Sequence, residues 1–250
     1  MSDRPMHTVP GLFAKLQALY AQGEQAIAEE RFADAIALFS EGIALDDHFR
    51  QRYVTMYAQR AFAAHRAGDC EAALRDYARA IEMEPPINQA QYHFQSGMCL
   101  AQLGRFDEAA LAYGRSIAIE DGQPGPWHLR GKLLTLELGR HEEAIADFDR
   151  FLAMRAHPEV SQLRGYAQIQ LGKGREAIGD LVESRRMRPD PYTSYLLACA
   201  GALAGDDDLV YEAMAATLEA DPGYRAYFVE GEDFARYQSQ DRFRAIAGVA

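Results

Sequence analysis

Apolar residues recur three and four positions apart along most of the chain, and the pattern breaks at regular intervals around a polar turn. In Leu103-Gly104-Arg105-Phe106-Asp107-Glu108-Ala109-Ala110 the break falls at Gly104, a residue type that tolerates the positive φ of a helix end. Phe106, Ala109, Ala110, Tyr113 and Ile117 then line one face of a second helix. The same arrangement returns around Leu138-Gly139-Arg140 and Leu171-Gly172-Lys173. Aligned on the turn, six copies place Glu30, Gly68, Gly104, Gly139, Gly172 and Gly205 in one column. Five residues on stand Ala35, Ala73, Ala109, Ala144, Ala177 and Val210, and four beyond these stand Phe39, Tyr77, Tyr113, Phe148, Leu181 and Met214. Seven residues before each turn the chain has Gly23, Ala61, Gly97, Lys132, Gly165 and Ala198, all small but Lys132. Small residues on both helices let the backbones approach, and the large apolar residue fills what remains.

Successive turns lie 38, 36, 35, 33 and 33 residues apart, centred near the ~34-residue period of a helix-turn-helix solenoid. In the register of its small, aromatic and helix-ending positions the chain resembles the tetratricopeptide repeat family. The resemblance implies an all-α, right-handed α-solenoid of six repeats, over 16–49, 54–87, 90–123, 125–157, 158–190 and 191–222. One hairpin cannot bury its own apolar face, so stability comes from neighbouring hairpins stacking.

The departures are specific. Copy one carries Glu30 at the turn. In copy four Gly131 and Trp127 are displaced by one position, which points to a shifted first helix, and Phe151 fills a place elsewhere mostly small. About four extra residues near His48–Tyr53, one helical turn, are expected to lengthen the start of the next helix. Residues 1–10 are expected to be disordered, with the repeats filling 11–222. Residues 223–250, rich in aromatics but out of register, are expected to form capping helices broken near Glu230-Gly231-Glu232.

With 48% hydrophobic and 25% charged residues the chain can bury a core, and a net charge of −11 argues against nucleic acid or an anionic membrane as partner. No secretory leader or membrane span is read, and Cys70, Cys99 and Cys199 lie far apart, with neither disulfide nor metal-ligand spacing. The expected location is the cytoplasm.

Catalytic chemistry is not found. His141-Glu142-Glu143-Ala144-Ile145 lacks the second histidine of a zinc helix, and Gly172-Lys173-Gly174 is no phosphate loop. His65, His93 and His128 fall on first helices of successive copies and could bind a metal, but surface or semi-buried histidines are the simpler reading. Asp206-Asp207-Asp208 reads as a helix cap. Neither cofactor nor metal is expected, and the chain is read as no enzyme.

The family resemblance instead implies a binding groove lined by the fifth and ninth residues of each copy. These are Tyr20 and Glu24, Ala58 and Phe62, Phe94 and Met98, Leu129 and Leu133, Gln162 and Tyr166, and Tyr195 and Cys199, with Gln59, Gln91, Gln95 and Arg130 as polar relief. The implied ligand is a peptide or helix of a partner protein; the alternative is a homo-oligomer joined through the C-terminal aromatics, and a third reading is an accessory subunit of an enzyme. Family members that grip a free C-terminal carboxylate use lysine, asparagine and arginine at these places, and no such triplet occurs here.

Overall fold

The computed structural model describes residues 11–46 and 54–249. The expectations for residues 1–10 and for the surplus at His48–Tyr53 fall outside them. The described residues are all-helical, with no strand among them. The chain divides into two compact units at Pro126 and Trp127.

The first unit holds three hairpins: α1 (Leu12–Ala28) with α2 (Phe32–Asp46), α3 (Val54–Arg66) with α4 (Cys70–Met83), and α5 (Ala90–Gln102) with α6 (Phe106–Ile119). Each second helix packs on the next first helix, and α1 touches α3 as α3 touches α5. Helix α7 (Pro124–Leu136) begins at the division. The second unit continues with α8 (His141–Met154), α9 (Pro158–Gln170), α10 (Gly174–Met187), α11 (Pro191–Ala204) and α12 (Asp207–Ala220). Two short helices follow, α13 (Arg225–Glu230) and α14 (Asp241–Ala247). Phe228, Phe234, Tyr237 and Phe243 are completely or almost completely buried with Leu197, Val210 and Met214, so this segment closes over α11 and α12.

The turns explain why the units repeat. The residue after each turn position donates its N–H to the carbonyl five residues back: Arg31 to Ala26, Asp69 to Ala64, Arg105 to Leu100, Lys173 to Gln168 and Asp206 to Gly201, at 2.8–2.9 Å. This closure requires the residue before it to be left-handed. Gly68, Gly104, Gly139, Gly172 and Gly205 have φ between +64° and +88°, and Glu30 takes the same conformation at +56°. A glutamate there carries backbone strain of roughly 1–2 kcal/mol, held by the hairpin around it.

The fourth turn differs. Arg140 donates to Leu134, six residues back, at 2.8 Å. One extra residue in this turn moves α7 by one position, and Gly131 rather than Lys132 meets the second helix.

Between the two helices of a hairpin the contact is tight. A Cβ built on Gly23 would lie 2.5 Å from the Phe39 ring, on Gly97 2.6 Å from Tyr113, on Gly131 2.6 Å from Phe148 and on Gly165 2.7 Å from Leu181. A Cβ on Gly179 of α10, by contrast, meets nothing within 4 Å. The same substitution should therefore have opposite signs at the two kinds of site. Gly179→Ala gains helix propensity, about 0.5–1 kcal/mol, whereas Gly97→Ala loses more to overpacking, roughly 1–3 kcal/mol, than it gains. Chemical denaturation of the two variants checks this, and a stabilised Gly97→Ala protein would refute the close contact.

Candidate functional site

In the first unit, three successive first helices supply one strip. Tyr20 on α1 is half-buried, edge-on to Phe39 with ring centres 6.0 Å apart. The Gln59 amide on α3 approaches its hydroxyl to 3.5 Å. Burial raises the Tyr20 pKa, opposed by Gln59 and reinforced by Glu24. Tyr92 on α5 is within electrostatic reach of Tyr20, and its own pKa is raised by burial, then by Glu84 and Tyr20. Glu24 is exposed, and Phe62, Gln95 and Met98 are half-buried. Tyr92 was not among the expected groove residues; it stands two positions before Phe94, outside the family's fifth-and-ninth pattern.

Phe94 faces another way. Its ring lies 5.9 Å from Tyr113, and a Cβ on Gly125 would come within 3.2 Å of it. With the exposed Gln91, Ser116 and Glu120 it lines a small recess of about 90 Å³.

In the second unit the register shift changes the face. Leu133 is 6% exposed and belongs to the core. Glycine 131 packs where the small residue of the other copies does, so the fourth copy's matching positions are His128 and Lys132. Lys132 Nζ lies 2.7 Å from Glu159 Oε1, and the His128 ring lies 5.5 Å from Phe151 and 5.7 Å from His157. Burial lowers the His128 pKa, with Glu159 opposing.

Arg130, expected as polar relief in the groove, is committed elsewhere. Its guanidinium donates twice to the buried Asp147 carboxylate, at 2.6 and 2.8 Å, and lies over the Trp127 ring. The same bidentate clamp joins Arg60 to Asp76 and Arg164 to Asp180. Arg60 also donates to Ser40 at 3.0 Å and Arg164 to Asp149 at 2.5 Å, both on the preceding second helix. The clamps tie the two helices of a hairpin, and through Ser40 and Asp149 Arg60 and Arg164 also tie their hairpins to the preceding ones. The pairs sit 16 or 17 residues apart, just before the small residue of one helix and the large residue of the next. That spacing is the signal that could have found them.

Two further expected groove residues are also engaged. The Gln162 amide donates to Asp190 at 2.9 Å and to Thr193 at 2.5 Å, at the N-cap of α11. Tyr195 is half-buried among Tyr192, Tyr224, Tyr227, Phe228 and Phe234, at ring distances of 5.4–6.4 Å. It is therefore roofed by the C-terminal segment. Burial, then Asp233, pushes the neighbouring Cys199 thiol up to about 12. Tyr166 remains half-buried, edge-on to His141 at 6.4 Å. Asp206 does cap α12, accepting from the Leu209 N–H at 3.1 Å.

The cysteines depart from their reading as scattered. Cys70 and Cys99 come together with His65, their ligand atoms all within 4.8 Å of one another. Distance along the chain concealed this, because Cys99 arrives from the following hairpin.

A sequence profile of the tetratricopeptide repeat matches residues 59–125, and a second matches 125–157. Tetratricopeptide repeat protein 16 of Mus musculus is 27% identical over 169 residues, covering 66% of this chain and 20% of its own length. The chain thus spans about a fifth of that relative. The C-terminal part of a TPR repeat-containing protein from Cytophaga hutchinsonii matches with a TM-score of 0.70 at 16% identity, over 91% of this chain and 92% of its own. MamA matches at 0.62 and 15% identity over 69% and 91% of the two chains. YrrB, described as a TPR protein with an unusual peptide-binding site, matches at 0.57 and 17% identity over 68% and 88%. These likenesses establish the all-α solenoid fold.

Two measurements test the site's electrostatics. Burial holds the Asp147 carboxyl above its usual pKa although Arg130 binds it. Arg130→Met should then cost about 3 kcal/mol, and the Arg130→Met/Asp147→Leu double variant should recover at least half of it; equal losses in both would contradict the clamp. His128 has its pKa lowered in the fold. The stability from keeping it neutral is present above the unfolded value of ~6.5 and is lost as pH falls through the folded value. Between about pH 7.5 and 5 the wild-type unfolding midpoint should fall more than that of His128→Gln; parallel curves would exclude His128.

Proposed function

We propose that this chain, a tetratricopeptide repeat protein, is a non-catalytic adaptor that holds a peptide or helix of a partner protein on its first-helix face. The observation that carries the reading is the strip Tyr20, Gln59 and Tyr92, to which three successive first helices each contribute one half-buried polar-tipped side chain. Aromatic rings with hydroxyl and amide tips suit recognition of a peptide backbone together with apolar side chains. The charges that bear on the strip, Glu24 and Glu84, are acidic. A segment with aliphatic and basic side chains fits it, and a free acidic C-terminus does not.

Each unit is assigned contacts of its own, Tyr20, Glu24, Gln59, Phe62 and Tyr92 in the first and, separately, Tyr166, His128 and Lys132 in the second. Residues 223–250 act as the cap of the array, since most of their large aromatics are spent on α11 and α12. That burial weakens the alternative of self-association through this segment, where Tyr227, 61% exposed, is the aromatic most open to solvent. Three buried free cysteines favour a reducing compartment such as the cytoplasm, and no helix among the described residues is long and apolar enough to cross a membrane.

Peptide-display selection on the immobilised protein tests the proposal. Selected peptides should carry aliphatic and basic residues and should lose at least about tenfold in affinity, near 1.4 kcal/mol, for a Tyr20→Ala/Phe62→Ala variant of unchanged helicity. Equal affinity for both proteins, or selection of peptides ending in Glu-Glu-Val-Asp, would sink it.

A further inference from the structure

The cluster at the turn end of the second hairpin is unused by this reading. His65 stands in the last turn of α3 and Cys70 opens α4, so the two flank the turn at Gly68. Cys99 comes from α5 of the next hairpin. Their nitrogen and sulfur atoms lie within 4.8 Å of one another. A tetrahedral ion bound at about 2.3 Å from sulfur and 2.0 Å from nitrogen needs ligand atoms roughly 3.4–3.8 Å apart. The cluster must therefore contract by no more than about 1.4 Å, within reach of side-chain rotation.

Three further observations point the same way. The Cys70 thiol donates to Gln102 Oε1 at 3.2 Å, and Gln102 also hydrogen-bonds His65, so one exposed amide bridges two of the three groups. Cys70 is the first residue of α4, so its sulfur stands at a helix end whose N–H groups have no partner within the helix. The Tyr77 hydroxyl is buried, has no hydrogen-bond partner, and lies within electrostatic reach of Cys99. A thiolate at Cys99 would give this stranded donor an acceptor, as outer-shell partners of metal-bound sulfur do.

We infer that His65, Cys70 and Cys99 form a binding site for a thiophilic d10 cation, Zn²⁺ in the first instance, which ties the second hairpin to the third. The two thiols release their protons to water as they bind, the neutral imidazole donates its lone pair, and the two thiolates balance the ion's charge. The fourth position opens on the Gln102 side and is taken by water. Histidine with two cysteines suits a soft or borderline cation and not Mg²⁺ or Ca²⁺, which need oxygen ligands. Since the unfolded chain does not hold the three groups together, binding also stabilises the fold.

Titration of the reduced full-length protein with Cd²⁺, read by the ultraviolet thiolate-to-metal band, and with Zn²⁺, read by calorimetry, tests the site. One ion per chain is expected, with a rise in unfolding temperature. Cys199→Ser should leave both unchanged, whereas Cys99→Ser should abolish the band. His65 is only half-buried, so His65→Ala should fold normally and bind at least about tenfold more weakly. Absence of the band, a band that survives in Cys99→Ser, undiminished affinity in His65→Ala, or a Cys70–Cys99 disulfide recovered under the reducing conditions of the titration would each overturn the assignment.

Discussion

Everything in this molecule depends on how closely the two helices of a hairpin approach. A glycine or alanine on the first helix faces a large side chain on the second, and a single added methyl at Gly23, Gly97, Gly131 or Gly165 would sit inside a ring or a leucine side chain. Dispersion between surfaces this close is collectively large, although each contact is small. The approach also fixes the angle at which the next hairpin stacks, and so which first-helix side chains are left facing outward. Turn geometry serves the same end, because the left-handed residue sets the helix spacing before any side chain packs. Glu30 makes the priority plain: the backbone takes φ +56° there with a side chain that does not favour it.

The helical architecture, the hairpin turns and the displaced fourth copy were legible in the sequence because they depend on residue size at fixed separations. The Arg–Asp clamps were not. Apolar periodicity says nothing of polar positions such as Arg60, Arg130 and Arg164, yet each sits where its guanidinium reaches a carboxylate one helix away. Arg130 was assigned to the groove for that reason. Tyr195 was assigned there for another: the fifth position of the sixth copy resembles its counterparts, but the segment after α12 departs from the repeat and lies over it. A repeat rule describes interior copies, and the ends answer to whatever covers them. Cys70 and Cys99 were hidden in a similar way, by a contact between neighbouring copies that spacing within one copy cannot express.

One residue in one turn shows how packing governs the recognition face. The six-residue closure from Arg140 to Leu134 lengthens the fourth turn and rotates α7 by about 100° relative to an unshifted register. The packing contact is preserved because Gly131 replaces Lys132 beneath Phe148. What changes is the adjoining face, where the apolar pair Leu129 and Leu133 gives way to His128 and Lys132, with Glu159 bound to the latter. The helix cannot keep both its core contact and its original face, since a misplaced lysine in the core costs far more than an altered surface. The core therefore wins, and the surface chemistry of this copy follows from a turn on the far end of its helix.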